Sequence, residues 1–201
     1  PGAWEHALWE WYPVNEHWNY NTGEAIIAEV ISNCEQVELF LNDQSLGVKK
    51  LADFPDRIYK WALPFAEGKL VAKGMMGAKS AEAQLITAGE PVAIQLVPDK
   101  TSLEADGCDV AHLVVQLIDD KGNPVLNAER EISFEIQGAV KNLGVDNGDI
   151  RSTQKFQANK IKTSKGRALL IVQSTLEQGD VTVSAKAGGL NSASVQLNVK
   201  K

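Results

Sequence analysis

Cysteine, methionine and histidine are scarce in this 201-residue chain, at two, two and three residues. These are side chains that redox, soft-metal and acid–base chemistry most often recruits. Cys34 and Cys108 fall in segments that each have a local role, so the spacing argues against a disulfide between them. With no Cys or His at ligand spacing, they do not form a zinc site. Long apolar runs are missing as well: no window reaches the ~18 consecutive apolar residues that a spanning helix needs. The start lacks the basic stretch followed by an apolar core that marks a signal peptide. It opens on Pro1-Gly2-Ala3-Trp4, which reads as a piece cut from a longer polypeptide. Clustered cations are absent beyond pairs such as Lys49-Lys50, and 26 acidic against 20 basic residues give a net charge of -6. Such a surface does not suit a phosphate backbone, so nucleic acid is excluded as a partner. Finally, no segment keeps a 3.6-residue apolar period long enough for a helix, and the predicted helix content is close to nil.

What the chain does have is apolar residues at 44% and charged ones at 23%, enough to bury a core. They are arranged as short runs rich in branched residues, broken by turn signals every 8–12 residues, which is the pattern of a β-sandwich. Strands are predicted at residues 24–32 (EAIIAEVIS), 36–41 (QVELFL), 46–50, 57–63 (RIYKWAL), 68–73 and 80–87. Asn42-Asp43-Gln44-Ser45 turns the second of these into the third. Ala88-Gly89-Glu90-Pro91 then stops the pattern, and it restarts at once, so the two halves are expected to touch across a short joint. Further strands are predicted at 92–97, 111–119, 131–137, 166–174, 180–186 and 192–199. The predicted fold is all-β, with two immunoglobulin-like β-sandwiches in tandem: a connector at 1–12, a first sandwich at 13–88 and a second at 89–201.

Few residues suggest chemistry. The acids are spread over strand faces and turns, with no paired cluster in an aromatic cleft that could do acid–base work. His6 and His17 near Glu5, Glu10 and Glu16 lack a third ligand, and His112 lies far along the chain, so they read as surface or packing histidines. No serine is marked as an activated nucleophile. Asp146-Asn147-Gly148-Asp149 offers oxygen side chains in a turn but not the alternating calcium-loop pattern, and an Asx turn is the simpler reading. Asp119-Asp120 reads as an ordinary hairpin end. No catalytic residue, metal site or cofactor is expected.

The aromatic entry stands out. Trp4, Trp9, Trp11 and Trp18 are four of the five tryptophans, with Tyr12 and Tyr20 among them. Rings such as Trp4, Trp9, Trp11 and Tyr12 can stack on sugar, which would make a carbohydrate-binding module. They can equally pack against a neighbouring domain, since exposed apolar patches mark such contacts. Docking or a connector role is the preferred expectation for Trp4, Trp9 and Trp11.

Residues 16–24 (EHWNYNTGE), Ser32-Asn33, 37–42 (VELFLN) and Ser45-Leu46-Gly47 resemble a domain that follows the barrel in many glycoside hydrolase family 2 enzymes, chiefly bacterial β-galactosidases. The family pattern runs close to HWNW…G…V…SN…VELFLNG.SLG; here Tyr20 replaces the second Trp and Asp43 the turn glycine. Trp61, Pro64, Gly68-Lys69-Leu70 and Thr87-Ala88-Gly89 fit the later half of that domain. Leu103, Ala105-Asp106-Gly107, Asp119-Asp120-Lys121-Gly122, Val145-Asp146-Asn147-Gly148-Asp149 and Gly166-Arg167-Ala168 resemble the family's terminal immunoglobulin-like domain. The second stretch also shares features with bacterial adhesin domains, so a structural spacer stays open beside the carbohydrate-binding module. The resemblance implies a non-catalytic accessory region of a β-galactosidase-type hydrolase, bracing the barrel or shaping access to its active site. The two catalytic glutamates would lie on a barrel of the same polypeptide, which would be its partner. Trp18 would be framework, and the location periplasmic or secreted.

Overall fold

The computed structural model describes residues 14–201. Alternating burial explains its strands. In β4 (Ile58–Pro64), Tyr59, Trp61 and Leu63 point inward while Lys60, Ala62 and Pro64 face out. β4 pairs antiparallel with β1 (Ala25–Ile31) as a two-stranded sheet. The facing sheet runs β3 (Gln44–Lys50), β2 (Gln36–Leu41), β5 (Lys69–Met76), β6 (Lys79–Ile86). Between them, Trp18, Val37, Leu39, Tyr59, Trp61, Phe65 and Leu70 form one buried cluster. The sole helical element among the described residues is a 3-10 turn at Leu51–Asp53.

The second group of strands has a separate and larger core. One sheet is ordered β11 (Val140–Asp146), β13 (Arg167–Ser174), β9 (Val110–Ile118), β7 (Ala93–Pro98). The other is ordered β12 (Lys160–Lys162), β10 (Glu131–Gln137), β14 (Gly179–Lys186), β15 (Ala193–Lys200), β8 (Ser102–Glu104). All pairs are antiparallel except β15 with β8. Leu113, Val115 and Leu117 of β9 interdigitate with Leu170, Val172, Val181 and Val183, all fully buried. The chain is all-β, built as immunoglobulin-like sandwiches.

Three strands differ from the sequence expectation. β8 and β12 are three residues each, too short to show a period. β11 carries a register shift between Asn142 and Gly144, which breaks the two-residue alternation that would reveal it. At the first hairpin, the turn is tighter than four residues: Asn42 (φ 49°) and Asp43 (φ 65°) alone make it, and β3 already begins at Gln44. Two left-handed residues in succession match the right-handed twist of the flanking strands.

Candidate functional site

The residues expected to make carbohydrate or domain contacts, Trp4, Trp9, Trp11 and Tyr12, lie outside the described residues, as do Glu5, His6 and Glu10. The rest of the aromatic entry is framework. Trp18 is 1% exposed, its indole N–H donates to the Ala66 carbonyl at 2.9 Å, and its ring lies 5.2 Å from Phe65. Tyr20 closes on Phe65 at 5.8 Å, edge-on, so a tyrosine serves this position by ring-to-ring packing.

Asn19, between those rings, makes a contact that the sequence did not disclose. Its amide NH2 donates to the Ala88 carbonyl at 2.6 Å, and its amide oxygen accepts the Ala88 N–H at 3.1 Å. One side chain thus satisfies both polar groups of a residue 69 positions away. Ala88 is itself buried among the second group's core residues. One residue on, the Gly89 N–H donates to the Asp119 carboxylate at 2.9 Å. Asp119, 3% exposed, also accepts the N–H groups of Lys121 and Asn123 and the Asn123 side-chain amide. It is therefore more than an ordinary hairpin end: it ties the Asp119–Asn123 turn to the connecting peptide. Burial pushes its pKa up, but the donors from Gly89, Asn123 and Lys121 outweigh it and hold the carboxyl below its usual range. Across the same joint, half-buried His17 feels Lys165 of the β12–β13 turn. Burial first, and that like charge second, lower the His17 pKa below 6.5.

The other polar groups are occupied by structure. Every carboxylate with a resolved shift moves downward. Lys100 does this to Asp109, Lys186 to Glu135 and Arg151 to Asp149. The N–H groups of Cys108 and Asp109 do it to Asp106, while for Asp99 bonds from His112 outweigh burial. A glycosidase acid needs the opposite, a carboxyl kept protonated near neutral pH beside a second carboxylate. In the 146–149 turn, Asp146 accepts the N–H groups of Asn147 and Gly148, and Asn147 accepts that of Asp149, which is an Asx turn. Among the described residues, no three His, Cys, Asp or Glu group as metal ligands would. Cys34 is buried and Cys108 exposed, both as free thiols. An open hollow of about 500 Å³ lies between the loops at 126–129, 147–151 and 164–167. Its lining includes Glu129, Asp149, Arg151, Lys165 and Arg167 but no aromatic ring, so it offers no stacking platform for a sugar.

The same order of segments recurs in known proteins. Residues 94–196 match the description "Glycoside hydrolase family 2 C-terminal domain 5", and residues 23–81 match a domain of unknown function, DUF4982. The chain belongs to glycoside hydrolase family 2. It is 34% identical to a β-galactosidase of Bacteroides ovatus over 188 residues, 92% of this chain and 22% of that protein. It is 31% identical to a β-glucuronidase of Formosa agariphila, across 95% of this chain and 20% of that protein. A solved structure of a glycosyl hydrolase family 2 member from Bacteroides cellulosilyticus superposes with a TM-score of 0.90 at 35% identity, over 100% of this chain and 26% of that one. The chain therefore spans about a fifth to a quarter of the relatives it matches. As a family 2 C-terminal region, the chain is tied at its joint by the Asn19–Ala88 and Asp119–Gly89 bonds.

Proposed function

We propose that this chain is the accessory, non-catalytic part of a larger family 2 hydrolase that cleaves terminal β-galactosides or related β-glycosides such as β-glucuronides. The hydrolysis would use two carboxylates on a barrel of the same polypeptide, one as acid and one as nucleophile or base. The sandwiches brace that barrel or shape access to its active site. The observation that carries this reading is the match of 92% of this chain to only 22% of a β-galactosidase, in a family whose matching domain is C-terminal. The described carboxylates agree with it, since each one with a resolved shift is held ionised by a structural donor. We also propose a periplasmic or extracellular location, an expectation drawn from the family resemblance, which fractionation of the native host would check.

The test is an assay of the purified chain on nitrophenyl β-galactoside and β-glucuronide. We expect no turnover above buffer. Hydrolysis at enzyme-like rates that survives repurification would overturn the reading.

A further inference from the structure

The hollow between the loops at 126–129, 147–151 and 164–167 carries a surplus of positive charge. Both acids in its lining are already paired: Asp149 with Arg151 at 3.1 Å, and Glu129 with Lys162. Lys165 and Arg167 are left over. Among the described residues, the Lys165 side chain makes no ion pair or hydrogen bond, and Arg167 has no carboxylate partner. Two uncompensated cations in one concavity are unusual in a chain of net charge -6, and they make it a place where an anion gains most.

The cations and the walls are fixed in advance. The Arg167 Nε–H donates to the Gln116 side-chain oxygen at 2.8 Å. Gln116 is buried, and its own amide donates to the Leu117 and Gly166 carbonyls at 3.0 and 3.3 Å. The guanidinium is therefore anchored at Nε, while its two terminal amino groups have no protein partner among the described residues. Those two groups form the fork that takes a carboxylate end-on, and an anchored side chain loses little rotamer freedom on binding. Lys165 (φ 48°) and Gly166 (φ 68°) make the turn that joins Ser164 to Arg167 and sets the ammonium beside the guanidinium. Gly166 has to be glycine, since a Cβ would lie 1.9 Å from the Val125 carbonyl oxygen. Its N–H donates to the Ala128 carbonyl at 3.1 Å, tying this turn to the 126–129 wall. The Asn147 side chain donates to the Lys162 carbonyl at 2.9 Å and ties the 147–151 wall to the same strand.

Two neutral groups complete the lining. The Asn127 amide and the Ser164 hydroxyl make no side-chain hydrogen bond among the described residues, so both can address hydroxyl groups. Without an aromatic ring the hollow cannot hold a neutral sugar by stacking, and charge has to carry the binding. Its volume of about 500 Å³ falls within the ~300–1,000 Å³ of small-molecule sites. We infer that the second sandwich binds an acidic sugar in this hollow, with the carboxylate on Lys165 and Arg167 and the hydroxyls on Asn127 and Ser164. This binding is independent of the hydrolysis proposed for the parent: a chain inert toward nitrophenyl glycosides would still show it.

Amide NMR of the whole chain, titrated with sodium glucuronate and sodium galacturonate at constant ionic strength, tests it. Saturable shifts are expected at 126–129, 147–151 and 164–167 with at least one uronate, and none with glucose or galactose. Lys165→Gln and Arg167→Gln should each raise the Kd about tenfold or more, the loss of one charge-assisted contact. Lys141→Gln, at an exposed position of β11 outside the hollow, should leave the Kd unchanged. Should Arg167→Gln disturb the anchor at Gln116, Lys165→Gln decides alone, because that side chain holds no hydrogen bond or ion pair among the described residues. No saturable shift with either uronate would overturn the inference. So would equal binding of acetate or phosphate, which would leave an unspecific cationic patch. Uronate binding untouched by the loss of Lys165 would overturn it as well.

Discussion

Asn19 shows how much a single amide can do when both its ends are used. A side chain that both donates to and accepts from Ala88 imitates a strand partner for one peptide unit, in a segment where no strand runs alongside. Asn19→Ala removes both bonds and leaves a buried N–H and carbonyl unpaired, which should cost about 1–3 kcal/mol. Urea titration followed by fluorescence should show the loss as an earlier midpoint. Asn19→Asp keeps an acceptor for the Ala88 N–H but sets an anionic oxygen against the Ala88 carbonyl, so it should fare no better than alanine. Recovery of the midpoint in the aspartate variant would mean that only the 3.1 Å bond matters. Asp119 works by the same logic with a charge. Asp119→Asn removes the charge from a group that accepts four hydrogen bonds. Bonds to charged groups are worth about 1.5–3 kcal/mol, so a destabilisation of about 2 kcal/mol is expected in the same titration.

At the scale of elements, the β2–β3 hairpin rests on a polar knot. Asn42 accepts the Lys69 N–H at 2.8 Å through its side-chain oxygen and donates to the Glu67 carbonyl at 2.8 Å. Gly68 must be glycine here: its φ is 129°, and a Cβ would sit 1.8 Å from the Asn42 oxygen. Asp43, the next residue, holds φ 65° without such bonds among those observed. Asp43→Gly relieves that left-handed position and should raise stability by up to about 1 kcal/mol, read as a later urea midpoint. This hairpin was legible in the sequence because a turn pair between two branched runs has a distinct signature. So was the two-residue alternation of β4, though not which face is buried: Tyr59, Trp61 and Leu63 point inward and Ile58 falls on the other face. Ser102–Glu104 and Lys160–Lys162 were not, since three residues cannot display a period, and the Asn142/Gly144 shift hides Val140–Asp146. The joint was legible only as a place: Gly89 and Pro91 mark a break, but nothing local announces that Asn19 and Asp119, 100 residues apart in sequence, both reach its backbone. Long-range polar contacts leave no periodic trace.

For the whole molecule, the joint gives stability a pH dependence in two separate windows. The Asp119 pKa is lowered in the folded chain, so its contribution is present above the ordinary carboxylate value and is lost as pH falls through the folded one, below about pH 4. The His17 pKa is lowered too, but histidine is charged when protonated. The unfolded chain therefore takes up a proton first as pH drops below 6.5, and stability falls between that value and the lower folded one. Two steps on the acid side are expected, and the upper one belongs to His17, lowered first by burial and second by the charge of Lys165. Lys165→Gln keeps a long side chain at the left-handed turn position, φ 48°, and removes only the charge. With three histidines in the chain, one of them outside the described residues, His17 can be assigned by its loss in His17→Gln and followed by NMR. Its titration midpoint should lie below 6.5 and should rise in Lys165→Gln, though not all the way, since burial remains the larger cause. A midpoint indifferent to Lys165 would mean that burial alone lowers it.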